Sequence, residues 1–189
     1  MERKSGILMP IFSLPSKYGI GTLGKEAYKF ADFLAAAGQS VWQLLPLGPT
    51  SYADSPYSSF STFAGNPYFI DLEALVEDGL LKRSEIKAVD WGDDPRQIDY
   101  GKIYETRFKI LALACERGWE RDAEAVAAFE RENAGWLPDY ALFMALKRRF
   151  GMKSWLEWPD EAARMRSPEA LDSYRSGLAE DIRLFTYAQ

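Results

Sequence analysis

Apolar positions change their spacing several times along this chain, and each change predicts an element. Gly6-Ile7-Leu8-Met9 is a short apolar run, which predicts a short buried strand. From 23 to 38, Ala27, Phe30, Ala31, Leu34 and Ala37 recur at helical spacing, and Gly38 suits the stop. Val41-Trp42-Gln43-Leu44-Leu45-Pro46-Leu47 is apolar on both faces, the pattern of a central buried strand. Ile70 to Val76 is short and mixed; as a strand it would place Asp71 and Glu73 on one face. Ser84 begins a short helix. Helical spacing returns over 99–118, with Ile103, Phe108, Leu111, Ala112 and Cys115 on one face. An Ala- and Glu-rich helix follows at 121–133. Residues 136–149, with Trp136, Leu137, Tyr140, Phe143, Met144 and Leu146, form a helix wide enough in its apolar face to be buried. Ser167-Pro168-Glu169 is a helix start, with Ser as N-cap and Pro in the first turn. Leu171, Tyr174, Leu178, Ile182 and Phe185 then make one stripe. A buried strand at 41–47 needs ladder partners on both edges, and the pattern after it is helical.

Between strand and helix lies a long irregular stretch, 48–69. It holds Pro49, Pro56 and Pro67 and a run of Ser and Thr. It also holds Tyr52, Tyr57, Phe60, Phe63 and Tyr68. Loops of this length are functional or disordered, and the aromatic content argues against disorder. Two readings stay open: the aromatics pin the loop to itself, or they are presented to a ligand.

Composition narrows the chemistry. The chain has 189 residues, 47% hydrophobic and 27% charged, ordinary for a soluble globular protein. Its net charge of −5 argues against nucleic-acid binding, which wants a concentrated basic face. It has no histidine, which excludes Ser-His-Asp and Cys-His machinery and any His-ligated metal within this sequence. Cys115 is the only cysteine, so there is no internal disulfide. The basic start is followed by an apolar stretch broken by Pro10, a poor signal peptide, and no run approaches a membrane span; a cytoplasmic protein is expected.

Gly19-Ile20-Gly21-Thr22-Leu23-Gly24 matches a dinucleotide-binding pattern, but no strand precedes it and no acid ends the next strand. These glycines read as a turn into the helix. Asp90-Trp91-Gly92-Asp93-Asp94-Pro95 lacks the spaced ligands of a calcium loop and reads as a solvated turn. No carboxylate pair is marked by its spacing.

Several of these segments, taken in order, resemble one family. Ser13-Leu14-Pro15-Ser16-Lys17-Tyr18-Gly19-Ile20-Gly21-Thr22-Leu23-Gly24 resembles the opening of the amylomaltases, the 4-α-glucanotransferases of glycoside hydrolase family 77. Val41 to Thr50 looks like their first barrel strand, and Asp54 to Leu72 is similar to their most characteristic N-terminal block. Ile98-Asp99-Tyr100-Gly101 and Trp136 to Phe143 also fit. Many members carry a His near Pro10; this chain does not.

The resemblance implies an α/β fold: the start of a (β/α)8 TIM barrel with a mostly helical insertion, the barrel incomplete in this chain. It divides the chain into a first strand-helix portion, 1–80, with a substrate loop at 48–69; a helical insertion, 81–166; and a helix, 167–189, leading to a second strand. It implies transfer of an α-1,4-glucan segment to the 4-hydroxyl of another glucan by a retaining double displacement. The family's three catalytic carboxylates follow later strands and have no counterpart here, so no catalytic residue is assigned and the chain alone is expected to be inactive. Tyr57 matches a tyrosine that stacks on the donor sugar, and Ser55 a polar neighbour. Tyr52 and Tyr104 match aromatics of a remote glucan site; Tyr104 equally suits a helix core. The implied partners are α-1,4-glucans and maltooligosaccharides, with no cofactor, metal, nucleic acid or membrane; oligomeric state is not specified. The alternative is a non-catalytic glucan-binding or helical interaction module using the same loop.

Overall fold

Two short strands, β1 (Gly6–Leu8) and β2 (Val41–Gln43), lie parallel, pairing Gly6 with Val41, Ile7 with Trp42 and Leu8 with Gln43. Helix α1 (Lys25–Ala36) connects them, as a parallel pair requires, so the chain opens with a βαβ unit. The computed structural model describes residues 3–51 and 54–189. The fold is α/β but mostly helical, with this two-stranded sheet. It divides into two compact units, Met1–Ala114 and Cys115–Gln189.

The predicted 41–47 strand is shorter than its apolar run and is not buried. The ladder ends at Gln43, and Val41 is 43% exposed; its partners Ile7 and Leu8 are 41% and 51% exposed, so the first strand is not buried either. An apolar run on both faces says what a strand is suited to bury, whereas burial itself requires neighbours on each side. Among the described residues β2 has β1 as its one ladder partner. Trp42 is the best sheltered of the three: its indole Nε1 donates to Met9 O at 2.8 Å, and its ring meets Phe30 of α1 edge-on at 4.9 Å.

Three glycines shape the turn between β1 and α1. Gly19 has φ +78°, which a side chain rarely adopts. A Cβ on Gly21 would lie 2.0 Å from Ile11 O and 2.8 Å from Leu14 N, so this segment packs directly on backbone. A Cβ on Gly24 would meet the Asp71 carboxylate at 2.0 Å. The motif is a close-packed turn, as its sequence context argued.

Asp71 and Glu73 do not share a strand face. Asp71 is the N-cap of helix α2 (Leu72–Glu77): its Oδ1 accepts from Ala74 N at 2.9 Å and its Oδ2 from Thr22 Oγ1 at 2.6 Å. A carboxylate three residues ahead of a free amide outcompetes strand pairing here, because it satisfies one of the helix's orphan donors. Glu73 lies within α2, accepting from the Tyr18 hydroxyl and pairing with Arg83 at 2.7 Å. Helix α3 (Arg83–Lys87) follows, with Glu85 accepting from Lys82 N at 2.8 Å. Helix α4 (Tyr100–Gly118) begins where the periodicity put it, and Asp99 caps it through Lys102 N at 3.0 Å. Leu72, Ile86 and Ile103 are wholly buried at the centre of this unit; burying a side chain of that size is worth about 2 kcal/mol.

The second unit is helical: α5 (Ala123–Glu132), α6 (Leu137–Arg149), α7 (Glu161–Arg164), α8 (Pro168–Gly177) and α9 (Ala179–Tyr187). Leu142, Leu146, Trp158, Ala163 and Leu171 form its core, with Phe150 and Tyr174 packed against them. Ser167 caps α8 through Ala170 N, as the sequence predicts. The single stripe expected after it is two helices, because the backbone leaves helical geometry at Leu178 (φ −120°, ψ 25°). Gly177 stands immediately before the break, where glycine's helical penalty of ~1 kcal/mol lowers its cost.

Asp160 caps α7 through Ala163 N (3.2 Å) and accepts from the Tyr174 hydroxyl at 2.7 Å. The Tyr174 hydrogen bond, followed by the backbone amide, lowers its pKa below the usual 3.8. A lowered folded-state pKa stabilises the fold above the carboxylate range, and that contribution is lost as pH falls through it. Asp160→Ala is therefore expected to lower the urea midpoint at neutral pH, and to converge on the parent protein as the medium is acidified past that range. A gap that persists unchanged in acid would mean that the carboxylate's charge is not what stabilises this corner.

Candidate functional site

The irregular stretch after β2 is a closed loop. Asn66 N donates to Leu47 O at 2.8 Å, drawing the two ends together. Inside it, Thr50 and Ser59 form an isolated antiparallel bridge. Ser61 Oγ accepts from Ala64 N at 3.1 Å and Phe63 N at 3.3 Å, so serines stand in for a ladder. At the tip, Ser58 N donates to Ser55 O at 3.0 Å, and Ser55 Oγ accepts from Tyr57 N at 3.3 Å. Asp54 leads into this turn with φ +54°, a conformation that Asp tolerates better than most residues.

The turn holds Tyr57 with its side chain outward, at 75% exposure, and Ser55 on the same turn is half-buried. The loop's aromatics divide between the two faces. Tyr68 is buried and pins the loop, whereas Tyr57 and Phe63 face outward. Asn66 caps the short 3-10 turn Pro67–Phe69, accepting from Tyr68 N at 3.0 Å.

Helix α4 carries the remaining candidate aromatic. Tyr104 is 45% exposed rather than part of the helix core, and Tyr100 is half-buried one turn earlier. Burial raises the hydroxyl pKa of Tyr68, Tyr100 and Tyr104 above the ordinary value. Asp54 adds to the rise at Tyr68 and Tyr100, and Tyr104 to that at Tyr68, which places these side chains in one neighbourhood. Burial also raises the Asp54 carboxyl. The structure thus gathers Ser55 and Tyr57 on one turn and Tyr104 on the helix beside the loop's root. Tyr52 lies outside the described residues.

One residue escaped the sequence reading. Arg107 stands on the buried face of α4, between Ile103 and Leu111, and is fully buried. Its Nη2 donates to Tyr68 O at 2.8 Å and to Ile70 O. A charge at i+4 from one core isoleucine and i−4 from a core leucine was the available signal. Among the described residues no group of three or more His, Cys, Asp or Glu could hold a metal, and no helix is long and apolar enough to cross a membrane.

The chain opens with a βαβ unit and carries an aromatic loop after its second strand, and comparison with known proteins gives its family. The chain belongs to the family described as 4-alpha-glucanotransferase, glycoside hydrolase family 77, whose model matches residues 9–189. The 4-alpha-glucanotransferase of Streptococcus pneumoniae (serotype 4) is 50% identical over 182 residues, covering 96% of this chain and 36% of that protein. That of Thermus thermophilus is 44% identical over 193 residues, covering 100% of this chain and 37% of that protein. Among solved structures, an amylomaltase from Streptococcus agalactiae in complex with acarbose superposes with a TM-score of 0.95 at 42% identity, covering 100% of this chain and 38% of that one. The chain therefore spans little more than a third of the length of the relatives that it matches.

Proposed function

We propose that the full-length protein carrying these residues is a 4-α-glucanotransferase that moves a segment of an α-1,4-glucan onto the 4-hydroxyl of another glucan or glucose. The observation that supports this most is Tyr57, an aromatic ring held outward on a turn braced by its own serines, in a chain of this family. An aromatic face suits the apolar C–H face of a glucose ring. Ser55, on the same turn, offers a hydroxyl to the same sugar. Tyr104, half-exposed on α4, and Tyr52 would serve a second glucan contact away from the reacting bond. The βαβ opening is then the first part of a (β/α)8 barrel, with 1–80 carrying the substrate loop, 81–166 inserted as helices and 167–189 leading to the next strand. The loop leaves the C-terminal end of β2, the end at which such barrels place their active sites. We place the protein in the cytoplasm, where its glucans would be found.

The chemistry asked of such an enzyme is retention of configuration. A carboxylate attacks the anomeric carbon and a second carboxyl protonates the leaving oxygen, the two standing ~5 Å apart. An acceptor hydroxyl then replaces water in the second displacement. In this scheme residues 1–189 bind and orient the donor, and the reacting carboxylates come from later strands. Incubating the full-length protein with maltotriose is expected to yield glucose and longer maltooligosaccharides, and the 189-residue chain alone to yield neither. Turnover by the isolated chain would sink the division of labour, and no turnover by the full-length protein would sink the transferase reading.

A further inference from the structure

We infer that Arg107 is a positioning residue, a buried guanidinium that holds the root of the 48–69 loop so that Tyr57 and Ser55 are presented correctly. The inference rests on the transferase reading only for its effect on catalysis. Its geometry stands apart from that. Three consecutive carbonyls at the loop's root are each held from outside. Arg107 Nη2 takes Tyr68 O at 2.8 Å and Ile70 O, and Leu23 N takes Phe69 O at 2.9 Å. Tyr68 and Phe69 lie in a 3-10 turn and Ile70 leaves it in extended geometry, and across this junction one guanidinium nitrogen serves the carbonyls of 68 and 70 while a backbone amide serves 69. Together with the bond from Asn66 N to Leu47 O, this fixes both ends of the loop.

Stability alone does not account for an arginine at this place. Its side chain is fully buried, and its Nε and Nη1 have no hydrogen-bond partner among the described residues. A buried charge with unfilled donors is a poor stabiliser, and an apolar residue of similar size often does as well. Desolvation pulls its pKa down to about 10, and the nearby Asp71 charge opposes the fall, so it stays charged at neutral pH. Trp91 lies 5.9 Å below the guanidinium carbon, closing its other face. What the arginine supplies, and a methionine or leucine would not, is the grip on two carbonyls of the loop.

The test compares Arg107→Met and Arg107→Lys with the parent in the full-length protein, by amide hydrogen exchange and by transfer kinetics on maltotriose. Arg107→Met is expected to speed exchange at Asn66, Tyr68 and Phe69 by roughly tenfold or more while amides of α6 keep their rates. KM is expected to rise roughly tenfold with kcat changed less, because a misplaced stacking ring weakens binding in ground and transition states alike. Simple loss of folded enzyme would instead lower kcat and leave KM alone. Arg107→Lys, whose single ammonium lacks the planar fork, is expected to fall between, and carries both measurements if the methionine variant does not fold. Exchange within about twofold of the parent at the loop root, or an equal rise in α6, overturns the positioning role. A loosened root with KM unchanged overturns its link to the sugar. A parent protein that transfers no glucosyl units overturns the transferase reading alone, and the exchange arm still decides the role of Arg107.

Discussion

Replacing Tyr57 by alanine in the full-length protein is expected to lower kcat/KM for maltooligosaccharide transfer by roughly thirtyfold, about 2 kcal/mol of lost contact, with little change in melting temperature. The two effects separate because of where the ring stands. At 75% exposure it buries little against its own chain, and substitutions at such positions usually move stability by less than about 0.5 kcal/mol. The turn beneath it is built from backbone and Ser55: Ser58 N to Ser55 O, and Tyr57 N to Ser55 Oγ. None of those bonds uses the Tyr57 side chain, so the turn survives its removal. A core tyrosine would behave in the opposite way, losing several kcal/mol of folding on truncation. Melting curves beside steady-state kinetics decide the matter. A large fall in melting temperature with kcat/KM intact at low temperature would show that the ring packs against protein, and the stacking role would be withdrawn.

The largest effect on folding is expected from a single methyl group. Gly21→Ala puts a carbon 2.0 Å from Ile11 O and 2.8 Å from Leu14 N, and both contacts are backbone, which cannot swing aside as a long side chain would. Gly21 N also donates to Phe12 O at 3.2 Å, so moving the turn to relieve the clash breaks that bond. Ile11 and Leu14 are themselves buried, and the disturbance reaches the core directly. Overpacking in a well-filled interior costs roughly 1–3 kcal/mol, and backbone-on-backbone overlap belongs at or above the top of that range. Chemical denaturation of Gly21→Ala is expected to show a loss of about 3 kcal/mol or more. Gly38→Ala is an informative control for crowding: a Cβ there meets nothing within 4 Å, so its cost comes only from the positive φ of +70°. Equal losses at the two positions would mean that steric crowding under residues 11–14 is not what makes Gly21 necessary.

Much of the secondary structure could be read from short-range information. Helices α1, α4 and α6 fall where apolar spacing put them, α5 where the Ala- and Glu-rich stretch put it, and Ser167 caps α8 as its Ser-Pro-Glu start predicted. These features depend on residues three or four apart, so one stretch of chain contains all the physics that decides them. The loop, its aromatic content and its likeness to one family were equally visible, because they are properties of order along the chain. Burial was a different matter. The sequence argued for a buried strand at 41–47, yet three residues pair and their sides are open, since burial is conferred by neighbouring strands and not by the run itself. Asp71 looked like a strand residue until Thr22, 49 positions away, and the amide of Ala74 claimed its two oxygens. Whether an aromatic of the loop faces inward or outward, Tyr68 one way and Tyr57 the other, was likewise decided by what packs against it. Arg107 makes the contrast sharpest. Its place on the apolar stripe of α4 was present in the sequence, but its meaning depends on carbonyls 37 and 39 residues earlier in the chain. Local spacing selects which face of an element turns inward; only the assembled fold determines what that face meets, because the partners that fill, satisfy or expose it are brought together from distant parts of the chain.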